Sequence, residues 1–187
     1  MVKIFDNEPE FSTEVFNFFS KKLSQQNSLE IKVIERPYIL KDFTVGKDKN
    51  NVWRVFAGLQ QQDIVFYQRE FERSEFENGL IKITGAGAGK TIVIPLAICE
   101  LKIPRSFETH GLITYSEIAS QIKFVFPYCV YYFLLSGSDK RVVLPETVLR
   151  QGKGFDRVFL NWENDKENIW KDLLSHFNYL KRIGVIT

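Results

Sequence analysis

Two apolar runs constrain this chain more than anything else in it. TIVIPLAICELKI (91–103) and YCVYYFLLSG (128–137) are β-branched or aromatic at successive positions, with little alternation. A strand of that kind is apolar on both faces, so both faces must be covered. Between the runs, TYSEIASQIKFVF (114–126) reads as a helix. Thr114 with Glu117 forms a capping box, and Pro127 stops the helix. The two runs are therefore expected as central strands of a sheet with helices packed on it.

The rest of the chain supplies the cover. Phe11, Val15, Phe18 and Phe19 recur at helical spacing over residues 9–26, with Ser12 or Thr13 placed to cap the start. LEIKVIE (29–35) opens with strict alternation and reads as a strand. TVGKDKNN (44–51) reads as a polar loop. VWRVFAG (52–58) and DIVFYQREF (63–71) read as two strands joined by a short turn, and 72–80 as a loop or one helical turn. Residues 79–103 read as strand, glycine-rich turn, strand, and RVFLNW (157–162) as a further short strand. Ile169, Trp170, Leu173, Leu174, Phe177 and Leu180 mark an amphipathic helix over 165–182. The order predicts an α/β fold with a mixed central β-sheet flanked by helices, and no linker divides residues 1–187 into more than a single domain.

Composition narrows the function. Of 187 residues, 44% are hydrophobic, enough for a core without disulfides, and disorder is excluded. The net charge of +2 suits contact with DNA but is far below that of a protein held on DNA by charge alone. Cys99 and Cys129 sit in apolar runs without metal-type spacing, as buried reduced thiols do. The first residues lack the apolar core of a signal peptide. The stretch from Ile122 to Leu135 is too short to span a bilayer and holds Lys123 and Pro127. The expectation is a cytoplasmic protein with no membrane partner.

Residues 84–91, TGAGAGKT, imitate a phosphate-binding loop. The pattern needs a glycine where Thr84 stands, and a helix starting at Lys90-Thr91. IVIPLAI follows instead, so a turn without a nucleotide cofactor is expected. Lys90 in that loop is a candidate DNA contact.

The charges that stand out are Glu100 and Lys102, at the end of the first apolar run. Alternation puts both on one face of the strand. Asp63 opens another apolar run. Unpaired charge in such surroundings is costly, which argues for a purpose. Asp63 and Glu100 can hold a divalent cation such as Mg²⁺, with the carbonyl of Leu101 as a further ligand. Lys102 can position or help deprotonate the water that attacks a phosphodiester. A solvated E-x-K strand is the plain alternative. His110, before the next helix, is a candidate for proton transfer or phosphate contact, or else a surface histidine. His176 reads as structural. Gln121 and Lys123 on the helix are candidates to reach the active-site edge or DNA, and Arg150 and Lys153 in RQGKGFDR (150–157) are candidate DNA phosphate contacts or part of a solvated loop. Tyr128, Tyr131, Tyr132 and Phe133 read as core.

The run Asp63-IVFY followed by Ile98-Cys-Glu100-Leu-Lys102-Ile resembles the PD-(D/E)XK motif of the restriction-endonuclease-like nucleases. That family's core runs helix, three strands with the acids on the second and third, helix, strand, and residues 9–136 match the order. Gln62 replaces the usual proline. The long gap from Asp63 to Glu100 leaves Glu72, Glu75 or Glu77 as substitutes for Asp63. The resemblance implies a restriction-endonuclease-like fold and Mg²⁺-dependent cleavage of double-stranded DNA. It also implies a metal-facing glutamate on the first helix, here Glu14, which is otherwise a surface residue. Within the family the chain is similar to small catalytic subunits of heterodimeric type IIS restriction endonucleases of the Bacillus kind. That implies a larger DNA-recognising nuclease subunit as partner. A homodimeric nuclease, either a junction resolvase or a complete restriction enzyme, and a non-catalytic scaffold are the alternatives.

Overall fold

The computed structural model describes residues 5–26, 28–77, 79–84, 91–103, 109–137 and 150–187. The order of elements is α1 (Glu8–Ser24), β1 (Lys32–Glu35), β2 (Tyr38–Lys47), β3 (Trp53–Gln61), β4 (Ile64–Glu72), α2 (Arg73–Phe76) and β5 (Ile81–Thr84). Then come β6 (Thr91–Lys102), α3 (Thr109–Val125), β7 (Val130–Leu135), β8 (Arg157–Phe159) and α4 (Trp162–Arg182). The fold class is α/β with mixed sheets flanked by helices, as the two apolar runs require.

A five-stranded sheet has the order β1-β4-β6-β7-β8. β1, β4 and β6 run antiparallel, whereas β6, β7 and β8 are parallel. The apolar runs are β6 and β7, side by side near the middle, with α3 making the crossover between them. One face is covered by α1 and α4: Phe11, Val15, Phe19, Leu173 and Phe177 pack on Phe66, Cys99, Leu101 and Leu134. Trp162 is fully buried there, with Phe11, Phe18 and Phe19 edge-on at 5.2–6.1 Å. Each such pair adds about 0.5–1.5 kcal/mol beyond burial. The other face is covered by α3 and a second sheet. Leu112, Ala119 and Ile122 join Ile98, Tyr131, Phe133, Ile39, Ala57 and Ile83.

The second sheet, ordered β2-β3-β5, differs from expectation. Residues 52–58 and 63–71 are both strands, yet they do not pair with each other. β3 pairs with β2 and β5, and β4 with β1 and β6. Likewise β5 and β6, on either side of the glycine-rich segment, belong to different sheets, so no hairpin joins them. The reason is cover: β6 and the first half of β4, Ile64 to Tyr67, are apolar on both faces, and β2, β3 and β5 are spent as a layer over one of those faces. β2 also runs to Lys47, so the expected loop at 44–51 shrinks to a tight turn in which Asp48 Oδ1 accepts the Asn50 and Val52 amides.

Helix starts were displaced. Asn7, not Ser12 or Thr13, caps α1 by accepting the Glu10 amide at 2.9 Å. α3 begins at Thr109, five residues before the expected cap, and the Thr114 hydroxyl donates back to the His110 carbonyl inside the helix. α4 starts at Trp162, behind Asn161, which accepts the Asn164 amide. Among the described residues, no helix is long and apolar enough to cross a membrane.

Candidate active site

The site is built where the arm-like second sheet leaves the main one. Arg36 donates its amide to the Asp63 carbonyl, and Gln62 donates its amide to the Pro37 carbonyl. These two bonds clamp the β1–β2 and β3–β4 connections together. Asp63 is thereby held at the mouth of β4, opposite the end of β6, where the register pairs Ile64 with Cys99. Its Oδ2 accepts the Leu101 amide at 2.8 Å.

Alternation along β6 places Glu100 and Lys102 together on the α3 face. Both are buried, at 4% and 7% exposure. Lys102 Nζ lies 3.0 Å from Glu100 Oε1, 3.9 Å from Asp63 Oδ2 and 3.6 Å from Glu8 Oε2. It also sits 4.6 Å from the Tyr115 ring centroid, a cation–π contact from α3. The Lys102 carbonyl accepts from Ser136 on the β7 side. By alternation the Leu101 carbonyl faces the opposite side, the one from which Asp63 reaches its amide.

A second layer stands behind Glu100. The Tyr131 hydroxyl donates to Gln62 Oε1 and lies 3.3 Å from Glu100 Oε2. Tyr131 and Gln62 are both buried. The Tyr131 hydroxyl is the donor shared between Gln62 Oε1 and Glu100 Oε2, and toward Glu100 it favours the carboxylate. Burial, then the neighbouring Asp63, pushes Glu100 up to about 7 against the pull of Lys102. Burial also raises Asp63, opposed by Lys102 and the Leu101 amide. Burial pulls Lys102 down, but Glu100 and Asp63 outweigh it and hold the ammonium above its usual range. A buried carboxylate and a half-exposed one, with a single lysine between them, form a site short of positive charge.

The remaining expected residues fall in different places. His110 is exposed in the first turn of α3, the end of the helix that approaches Lys102 through Tyr115. Glu14 is half-buried on α1; the acid of that helix that comes to Lys102 is Glu8. Gln121 and Lys123 lie six and eight residues beyond Tyr115, roughly 9 and 12 Å along the helix axis. Gln121 donates to Glu117, and Lys123 pairs with Asp156 at 3.0 Å. The fold does not bring these two to the site. Arg150 and Lys153 are exposed on a segment whose Gly154 amide donates to Ser116 of α3. Lys90 lies outside the described residues, although Thr91 after it opens a strand. Glu72, Glu75 and Glu77 sit at the far end of β4, where Glu72 pairs with Thr91, so they are not alternatives to Asp63. His176 is half-buried, 3.2 Å from the Leu96 carbonyl.

Sequence reasoning missed Glu8, Gln62, Tyr115 and Tyr131. Gln62 was legible only as the neighbour of Asp63, and Tyr131 was hidden in an apolar run. A cleft of about 730 Å³ between β7, β8 and α4 lies on the other face and contains neither Asp63 nor Glu100. The charge cluster, not concavity, marks the site. No protein-family model matches the chain, and no curated protein is significantly similar to it.

Among the described residues, no group of three His, Cys, Asp or Glu is spaced to hold a metal. Two carboxylates with one strand carbonyl remain. That donor set fits Mg²⁺, which takes few protein oxygens and keeps water and substrate in its other positions.

Proposed function

We propose that this protein is a Mg²⁺-dependent DNA endonuclease of the restriction-endonuclease-like type that cuts one strand of duplex DNA. One observation carries the reading: half-exposed Asp63 and the buried Glu100–Lys102 pair converge at one end of the central sheet, with Lys102 Nζ between the two acids. The order α1, β1, β4, β6, α3, β7, with acids before the second and on the third of those strands, supports it. Asp63, Glu100 and the Leu101 carbonyl would hold the ion, which when bound supplies Lewis-acid stabilisation of charge on the phosphate oxygens.

The chain's own groups do the rest. Lys102, kept cationic by its two acids, orients the attacking water and offsets charge gathering on the phosphate. Glu100 is held by Tyr131 so that its other oxygen faces Lys102. Hydrolysis adds the water oxygen to phosphorus, breaks one P–O bond and leaves the proton with the departing oxygen or solvent. His110, exposed in the first turn of α3 five residues before Tyr115, is a further candidate for phosphate contact. Arg150 and Lys153 are further candidate contacts.

A single such site cuts one strand. We therefore read the chain as the small catalytic subunit of a cytoplasmic heterodimeric type IIS restriction enzyme, paired with a larger DNA-recognising subunit. The experiment is plasmid nicking in Mg²⁺ with and without that subunit. Conversion of supercoiled to open-circular DNA, abolished by Glu100→Ala and by Lys102→Ala, is the expected result. Nicking that persists in both variants overturns the catalytic assignment. Linear product from this chain alone would instead favour a homodimeric enzyme.

A further inference from the structure

The second sheet does more than cover the core. Its base packs through Leu40, Ala57 and Ile83, but the same face continues outward beyond the core. There Val45 is opposite Val55 and Lys47 opposite Trp53. Val45 is 68% and Trp53 62% exposed, and Lys47 Nζ rides 5.6 Å from the Trp53 ring centroid. β5 joins only as far as Val55, so past that point the sheet is a two-stranded ribbon closed by the turn at Asp48.

The charge on this element is lopsided. Residues 38–61 and 79–84 hold Lys41, Lys47, Lys49, Arg54 and Lys82 against Asp42 and Asp48, a net of +3 where the whole chain has +2. The rest of the chain is therefore slightly negative. Neither acid faces outward freely. Asp48 binds two amides of its own turn and pairs with Arg54 and Lys82, and Asp42 pairs with Lys41. Lys47 and Lys49 are left exposed at the tip.

We propose that this overhanging ribbon, led by Lys47, Lys49 and Trp53, is where the protein takes hold of duplex DNA away from the cleaved phosphate. The inference rests on the nuclease reading of the site. Cations in excess over acids suit a polyanion, and a two-stranded ribbon fits the major groove. Position agrees as well. The arm grows from the residues next to Asp63, and the nine residues of β3 carry its tip roughly 30 Å from that base, close to one turn of duplex. An apolar overhang without the charge excess would suit a protein partner instead.

The test is binding of a 30-bp duplex by fluorescence anisotropy, in EDTA at low salt, with a salt titration. Lys47→Glu/Lys49→Glu should weaken affinity at least about tenfold and make the log–log salt slope shallower by about two. Lys47→Gln/Lys49→Gln should give a smaller loss with the same melting temperature as the parent. Nicking of plasmid in Mg²⁺ is measured beside binding: a parent that binds duplex through the ribbon but nicks nothing fails the nuclease reading alone, whereas a parent that nicks and whose charge-reversed variant binds unchanged fails the ribbon alone. Unchanged affinity and slope in the charge-reversed protein overturn the proposal, as does absence of duplex binding by the parent at 50 µM. A Trp53→Ser variant that alters the sedimentation of the free protein, with duplex affinity unchanged, also overturns it, by marking the face as a protein contact.

Discussion

The two charged regions of this molecule are opposites. At the end of β6, Glu100 and Lys102 are buried within 3.0 Å of each other, and Asp63 and Glu100 are both displaced upward in proton affinity. At the tip of the β2–β3 ribbon, Lys47 and Lys49 stand in solvent. Burial makes each charge depend on its neighbours, so removing one alters the others' chemistry. Exposure leaves charges nearly independent and screened by salt. The first arrangement suits bond-breaking, which needs few groups held tightly. The second suits attraction, which needs only the sum.

The largest effect should follow breaking the buried cluster. Glu100→Gln or Lys102→Ala is expected to reduce nicking at least about 10²–10³-fold, measured on supercoiled plasmid at saturating Mg²⁺. No comparable loss of turnover is expected from the ribbon variants, whose effect belongs in binding.

Next is pH. Glu100 folds with its pKa raised from 4.5 to about 7, so between those values the unfolded chain has released a proton that the native one keeps. Stability without metal should therefore fall as pH rises through that window, in part by this group. Asp63, also raised, acts in the same direction. His176, lowered by burial, acts oppositely below its usual range. The difference between parent and Glu100→Gln isolates the site. The variant should be more stable at pH 8 by on the order of 1–3 kcal/mol, and nearly equal at pH 4, by urea denaturation in EDTA. A difference that is flat with pH would contradict the burial of an ionising Glu100.

Tyr131→Phe probes the layer behind the acids. It removes the hydroxyl that meets Gln62 and Glu100 while keeping the ring that packs on Phe155. The Mg²⁺ concentration for half-maximal nicking should rise about 10-fold, with turnover at saturating Mg²⁺ little changed. Equal loss at every Mg²⁺ concentration would show that Tyr131 acts on folding and not on Glu100.

The smallest effect is expected at Asp48. Its pKa is lowered to about 2, first by the Val52 amide, with Arg54 adding to it. Asp48→Asn should leave nicking of short saturating duplex unchanged and loosen only the ribbon turn, visible as faster amide exchange at Asn50 and Val52. Global unfolding in this variant would mean the ribbon is not separable from the core.

Much of the fold was legible. The apolar runs at 91–103 and 128–137 could only be covered central strands, and α4 announced itself through Ile169, Trp170, Leu173 and Phe177. Strand pairing was not legible. Nothing in 52–71 says that its two strands part company, because pairing depends on which faces elsewhere need cover. The start of α3 was misplaced for a related reason: the Thr114–Glu117 pattern is local, whereas the helix extends back over residues whose environment is tertiary.

For the site, sequence alone determined that Glu100 and Lys102 share a face of an apolar strand, since alternation is a property of the backbone. It also offered Asp63 at the head of another strand. Only tertiary structure decided that Asp63 meets them while Glu72, Glu75 and Glu77 stand at the other end of β4, because sheet register sets which distant residues become neighbours. The same register brought Tyr131 and Gln62 behind Glu100 and Glu8 beside Lys102. Side-chain type is written in the chain, but burial and neighbour charge, which set what a carboxylate or an ammonium does, exist only once the strands have paired.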